Sequence, residues 1–339
     1  MSVLHLSRCS KIPPWIFEHE STVKKGSAIP GDFFYCLSLT KMPFFYTMTP
    51  CMDSVTVSAP AKINLGLQVL PRREDGYHGI RSIFTTVPLA DELKVSLADG
   101  KDSCTVTCQG MKLPSQNTIT VAYKAFCVLT GMNQSVSVKL TKRIPAGGGL
   151  GGGSSDASSF IQSIDSLFST HLDAVSFETI ASKVGSDVFF FTHALLEAGN
   201  NEPYAAIVEG RGERVSAIPA RSDYTVLLLF PGVSVSTAEA YRWVDEDAES
   251  DQTVRLPLAQ LYSMGVRAWT FKNDFTPCVV RRCPLIGAAR AVMMEEAGLL
   301  PQLRHQGKEK RWFTSRSVIL GSTTVSILHN MQAEFQVIF

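Results

Sequence analysis

No stretch of this chain is apolar enough to cross a bilayer. About 18 consecutive apolar residues are needed, and runs such as the one near Val226 to Phe230 stop far short of that. A membrane partner is therefore not expected. An excess of one charge is missing too, since 32 lysines and arginines stand against 31 acids for a net charge of +1. Neither a nucleic acid nor a polyanionic surface is expected as partner. The eight cysteines are scattered without a Cys-x-x-Cys pair, and no His/Cys spacing suits zinc. Reduced, partly buried thiols in a bacterial cytoplasm fit best. Internal repeats and low-complexity tracts are absent as well. What is present is 339 residues with 45% hydrophobic content, enough for about two domains with a sizeable core.

Residues 1–52 mix aromatics, prolines and cysteines without periodicity and lack signal-peptide architecture. They read as an extension that is unstructured, or not translated if the start lies at Met48 or Met52, and the later start is preferred. A targeting segment, to a plastid for instance, is the other reading.

The most informative segment is Pro145-Ala146-Gly147-Gly148-Gly149-Leu150-Gly151-Gly152-Gly153-Ser154-Ser155-Asp156-Ala157. So many glycines have no use inside a helix or strand; they make a loop whose backbone a ligand can approach closely and whose N–H groups can converge on an anion. Two familiar phosphate loops do not match. There is no Gly-x-x-x-x-Gly-Lys-Ser/Thr, and no acidic ribose ligand follows about 20 residues on at the end of a strand. Ser154-Ser155-Asp156 reads as the N-cap of a helix over Ala157 to Phe168, with Phe160, Ile161, Ile164, Leu167 and Phe168 at helical spacing. Its positive end would face phosphates. A flexible linker is the other reading, but linkers seldom stand between an alternating segment such as Val136, Val138, Leu140 and an amphipathic helix.

Elsewhere, Val55, Val57 and Ala59, then Ile63, Leu65, Leu67 and Val69, predict two strands bent at Pro60. Arg72 to Gly79 reads as a turn. Further strands are predicted at Leu93 to Leu97, Thr105 to Cys108 and Thr225 to Phe230. Helices are predicted over Thr118 to Leu129, Phe177 to Val184, Thr237 to Val244, Val266 to Phe271 and Leu285 to Ala297. Strands and helices do not alternate strictly, which points to an α+β fold.

Phosphoryl transfer needs a phosphate cradle, a cation for developing charge and a carboxylate for the attacking hydroxyl. Lys62 sits in a strand pattern with apolar neighbours, so its ammonium must find a partner. Asp187, alone at the head of an apolar run ending at Phe191, is the candidate. Paired with Lys62 it would stay ionised and could accept a proton. Singly, Lys62 reads as a snorkelling strand lysine and Asp187 as a cap; beside the glycine loop the pair is preferred. Tyr77, in the turn Asp75-Gly76-Tyr77-His78, could stack on a flat ring.

In this order, these residues resemble the superfamily of galactokinase, homoserine kinase, mevalonate kinase and phosphomevalonate kinase, whose phosphate loop matches Pro145 to Ser155. Within it, Ala61 to Leu67, Arg73 to His78 and Gly185 to Phe190 are similar to the 4-diphosphocytidyl-2-C-methyl-D-erythritol kinases. The resemblance implies a two-lobed small-molecule kinase fold, with a ribosomal-protein-S5-domain-2-like N-terminal lobe over 53–215 and a ferredoxin-like α/β C-terminal lobe over 216–339. It implies ATP-dependent phosphorylation of the 2-hydroxyl of the cytidine diphosphate-linked methylerythritol, in the non-mevalonate route to isoprenoid precursors, by a monomer or weak homodimer. Lys62 and Asp187 fall on the catalytic pair. Asn64, Tyr77, His78, Lys142, Thr237 and Tyr241 fall on the substrate site, with the aromatic and histidine positions holding the cytosine. Asn117 falls near adenine, while Pro145, Gly147, Gly148, Gly149, Leu150, Gly151, Gly152, Gly153, Ser154 and Ser155 fall on the triphosphate. Mg2+ would be reached through the phosphates and a loop serine.

The similarity covers roughly residues 54–300. A final Ser-Gly-Ser-Gly-Ser-Thr motif of the family is echoed only by Gly321, Ser322 and Thr323, after a basic stretch from Pro301 to Arg316. Losing its glycines predicts weakened ATP use. Two other readings stay open: a sister kinase acting on homoserine or a mevalonate derivative, disfavoured by the Asp75 to His78 turn, and a nucleotide-binding homologue impaired in catalysis.

Overall fold

The computed structural model describes residues 53–230, 232–247, 257–291, 324–328 and 335–337. All lie in one compact unit, Cys51–Phe339. The expectations for 1–52 and for Pro301 to Arg316 fall outside the described residues, as do Gly321, Ser322 and Thr323. Among the described residues, no helix is long and apolar enough to cross a membrane.

Two long strands organise the molecule: β1, Ser54–Arg72, and β2, His78–Lys101. They pair antiparallel from Ser54↔Ser96 to Arg72↔His78. The bend expected at Pro60 is a register shift between Pro60 and Ala61 within one strand rather than a break between two, because a bulge absorbs the missing proline N–H without ending the pairing. The expected turn shrinks to residues 73–77, and the short strand at Leu93 to Leu97 is the far end of β2. A second register shift at Leu65/Leu67 accommodates Gly66.

Strand β2 also pairs with β4, Gln134–Thr141, through Glu92 to Lys101 and with β5, Ala205–Gly210, through Ile80 to Thr85. β3, Cys104–Cys108, runs parallel to β4, and β6, Arg214–Ile218, is antiparallel to β5. β5 and β6 escaped the sequence reading; β6 continues the first sheet past residue 215. A second sheet joins β7, Thr225–Leu229, β8, Thr324–Leu328, and β9, Phe335–Val337.

Helices α1, Thr118–Thr130, α2, Gly152–Phe168, and α3, Ala174–Val184, cover the sheet through Ile119, Phe126, Phe160, Ile161, Ile164 and Ile180, which pack on Leu93, Val95, Val136 and Val138. Ala61, Ile63 and Leu65 of β1 instead join Leu258 and Leu261 of α6, Leu258–Ser263, together with Trp269 and Phe271. Only Val266–Ala268 is helical in the expected 266–271 segment, as one 3-10 turn. Because strand side chains alternate, Lys62 and Asn64 face away from that second cluster. The remaining helices are α4, Ser186–His193, which runs on into a π-helical turn over Ala194–Ala198, α5, Thr237–Glu246, and α7, Phe275–Arg282; residues 284–291 are also helical.

Candidate active site

Lys62 is 4% exposed. A buried ammonium is tolerated only with partners, and three are in place. Its Nζ donates to Asn64 Oδ1 at 2.7 Å, lies 3.5 Å from Asp187 Oδ2 and sits 4.3 Å from the centre of the Phe84 ring. Asn64 Nδ2 in turn donates to Ser82 Oγ at 3.0 Å, and Ser82 Oγ donates to Gly66 O at 2.5 Å. The lysine's position is thus fixed by two strands. Ser82, absent from the sequence reading, could have been found only as a polar residue at a buried β2 position.

Asp187 stands in the first turn of α4, where the helix end favours negative charge. Its side chain keeps 30% exposure beside the 5% of Lys62, so the pair has one protected and one accessible member.

The glycine loop lies directly on this pair. The Lys62 backbone N–H donates to Leu150 O at 2.9 Å. Gly151, at φ +70°, admits no side chain, since a Cβ there would come within 2.8 Å of Phe191 and 3.2 Å of Lys62 Cγ. Phe191 belongs to α4, so one glycine touches both elements that carry the charged pair. At the loop's other end a Cβ on Gly147 would meet Ser234 Cβ at 2.8 Å.

Helix α2 starts earlier than expected. Gly151 is its N-cap, in the left-handed conformation and with no side-chain capping bond, and Ser154 and Ser155 donate their N–H groups to Gly151 O at 3.0 and 2.9 Å. Ser154 and Ser155 therefore lie inside the first turn, and Asp156 just after it. A serine cap would have consumed N–H groups with its own hydroxyl, whereas a glycine cap leaves the helix end open to an outside anion. Ser155 Oγ is buried there without a partner. Thr118, the first residue of α1, is 3.5 Å from a Cβ position on Gly153, which brings a second helix N-terminus beside the first.

Asn117 spends its side chain on α1 itself: Oδ1 accepts from Ile119 and Thr120 N–H, both at 3.1 Å, and Nδ2 donates to Pro114 O at 3.0 Å. Lys142 is likewise engaged. Its Nζ is bound to Asp91 Oδ2 and, at 2.9 Å, to Asp156 Oδ2, while Asp91 Oδ1 accepts from Arg143 and Ile144 N–H at 2.5 and 2.8 Å. A Cβ on Gly152 would lie 3.2 Å from Lys142 Nζ, so this buried triplet supports the loop from beneath. Burial pushes the Asp156 carboxyl up to about 7 against the opposing pull of Lys142. Asp156 was expected only as part of a helix cap, and Asp91 was not singled out from sequence; a carboxylate in the run Pro88 to Leu97 was the available signal for it.

The aromatic group assembles from two ends of the chain. His78 and Tyr241 stack at 5.4 Å with 9° between planes, and Tyr241 meets Phe275 edge-on at 5.0 Å. His78 Nδ1 donates to Leu70 O at 2.9 Å, and Nε2 lies 2.9 Å from Asp245 Oδ1. Burial, with the charge of Asp187 adding to it, pushes the Tyr241 phenol up to about 12, so ring and carboxylate belong to one region. Tyr77 stands 55% exposed in its turn. Thr237 opens α5 in an exposed position, next to the Ser236/Glu239 capping box. Pro145 flanks the loop at an intermediate exposure, while Gly148 and Gly149 lie within it. A cavity of about 420 Å³ elsewhere, lined by Val55, Val57, Gln162, Phe177 and Leu196 among others, has no lysine or arginine and none of these groups.

Residues 117–194 match the family described as GHMP kinases N terminal domain. The chain is 38% identical over 249 residues to 4-diphosphocytidyl-2-C-methyl-D-erythritol kinase of Treponema pallidum (strain Nichols), covering 70% of this chain and 82% of that protein. It is 32% identical over 264 residues to the protein of the same name from Chlorobium phaeobacteroides, covering 76% and 87%. Among solved structures, a crystal structure of 4-(cytidine 5'-diphospho)-2C-methyl-D-erythritol kinase aligns with a TM-score of 0.59 and 32% identity over 72% of this chain and 84% of that one.

Proposed function

The chain belongs to the 4-diphosphocytidyl-2-C-methyl-D-erythritol kinase family, and from that premise we propose that Lys62 and Asp187 carry its reaction. It is an ATP-dependent kinase that phosphorylates the 2-hydroxyl of 4-diphosphocytidyl-2-C-methyl-D-erythritol, a step of the non-mevalonate isoprenoid pathway. One observation carries the assignment of residues: the buried Lys62 Nζ, 3.5 Å from Asp187 Oδ2, belongs to the same residue whose N–H is bonded to the glycine loop at Leu150.

In this reading the open end of α2 and the loop from Pro145 to Ser155 hold the triphosphate, aligning its terminal phosphorus with the accepting hydroxyl. Asp187 takes the hydroxyl proton as the new O–P bond forms and the bond to the bridging oxygen of ADP breaks. Lys62 holds the Asp187 carboxylate in place and offsets the charge gathering on the transferred group. The rings of Tyr77, His78 and Tyr241 hold the base. Lys142 acts through the loop, which its carboxylate partners support. Asn117 shapes the start of α1 beside the nucleotide, and Thr237 and Asn64 line the polyol side.

Mg2+ fits this site. Ser155 Oγ is a buried oxygen without a partner in the first turn of α2, and no cluster of three or more carboxylates, histidines or cysteines competes among the described residues. Ser155 would hold the ion together with phosphate oxygens, the usual manner for magnesium, and the ion would supply charge neutralisation. The test is turnover of the cytidine-linked substrate against homoserine and mevalonate with ATP. Phosphorylation of a simple alcohol in preference to the cytidine-linked one would overturn the substrate assignment.

A further inference from the structure

The turn between β5 and β6 reaches both ends of the site. Gly212, at φ +123°, presses on α4 so closely that a Cβ would come within 2.9 Å of Ser186 Cβ, next door to Asp187. One residue earlier, Arg211 lays its guanidinium over the Tyr77 ring, with Cζ 3.9 Å from the ring centre. The Arg211 backbone N–H donates to Glu213 Oε2 at 2.5 Å, so the turn's own carboxylate is held by main chain. Among the described residues no carboxylate forms an ion pair with the Arg211 side chain. Nearby arginines differ: Arg72 donates to Gly76 O, Arg73 lies 3.3 Å from Asp75 and Arg81 lies 2.7 Å from Glu209.

A guanidinium stacked on a ring keeps its fork of N–H donors in its own plane, a shape that fits phosphate oxygens two at a time. The other site cations are committed, Lys62 to Asn64 and Asp187, and Lys142 to Asp91 and Asp156. We propose that Arg211 determines specificity by gripping the diphosphate that joins the substrate's base to its polyol. The inference rests on the function assigned above. It also follows the order of groups, because Arg211 stands in a turn that joins Tyr77 at the base end to Ser186 and Asp187 at the reacting end.

The experiment compares cytidine 5'-diphosphate with cytidine by calorimetric titration of the full chain as wild type, Arg211→Gln and Arg211→Lys. Arg211 is exposed in a surface turn, so the variants are expected to fold, which circular dichroism checks. Arg211→Gln should lose about tenfold in affinity for the diphosphate with cytidine binding unchanged, and lysine should restore part of it. The KM for the cytidine-linked substrate should rise in parallel while that for ATP holds. An unchanged preference for the diphosphate in Arg211→Gln overturns the proposal, as does an equal loss for both ligands. A wild-type enzyme that binds neither ligand overturns the functional reading itself.

Discussion

Lys62 concentrates three tasks in one residue: a strand position in a buried sheet, a backbone bond to the glycine loop, and an ammonium held 2.7 Å from Asn64 Oδ1. Asp187→Asn should therefore keep ATP binding near normal while lowering kcat by about 10²- to 10⁴-fold, the range for a lost positioned base. Stopped-flow binding beside steady-state turnover measures both, and an unchanged kcat would remove Asp187 from its role. Lys62→Ala should lower kcat comparably by leaving Asp187 unpaired; normal turnover in that variant would break the pair. Asn64→Leu strips the lysine of its hydrogen bond and leaves Ser82 Oγ short of a donor. Urea unfolding should show a loss of about 1–3 kcal/mol, with kcat lowered too. A stability loss without any effect on turnover would make Asn64 purely structural.

Helix α2 and its loop are a unit whose conformation is set by what it must leave open. A side-chain cap would satisfy N–H groups that the proposed phosphate site requires, and the left-handed Gly151 leaves them without one. Gly151→Ala places a methyl group against Phe191 at φ +70°. The expected result is a stability loss of about 1–3 kcal/mol, from strain of that order, together with a raised KM for ATP. Thermal melting and ATP titration report the two separately. Beneath the loop, Asp156 has a carboxyl raised to about 7 by burial. The folded state therefore retains a proton that the unfolded chain releases near pH 4, and the contribution to stability falls as pH rises toward 7, then levels off. Asp156→Asn does not titrate, so its stability relative to wild type should improve between pH 5 and pH 8. Denaturant midpoints that keep a constant gap over that range would refute the raised value.

Across the whole molecule, β1 links the site to distant sequence. Leu67 N–H donates to Lys272 O at 2.9 Å, Asp274 N–H donates to Leu67 O at 3.0 Å and Val69 N–H donates to Asp274 Oδ2 at 2.9 Å. Asp274→Ala should lower the unfolding free energy by about 1–3 kcal/mol and weaken binding of the cytidine-linked substrate, since α7 begins at the next residue and its Phe275 supports Tyr241. Equilibrium unfolding and the KM for that substrate check this; an unchanged midpoint would mean that the tie is dispensable. Removing residues 301–339 would take β8 from its partner β7, so lost turnover in such a chain would report sheet damage as well as the altered final motif. Helices α1, α2 and α3 were legible because their apolar spacing is a local property, and the glycine loop because only a special backbone needs such a run. The residue types of Lys62 and Asp187 were legible as charges in apolar surroundings. The full length of β2, the pairs β5 and β6, the capture of Lys142 by Asp91 and Asp156, and the placing of Arg211 on Tyr77 were not. Periodicity and steric preference act over a few neighbouring residues and so are written in the chain, whereas strand partners and ion partners are chosen by packing among segments far apart, and only the folded molecule makes that choice.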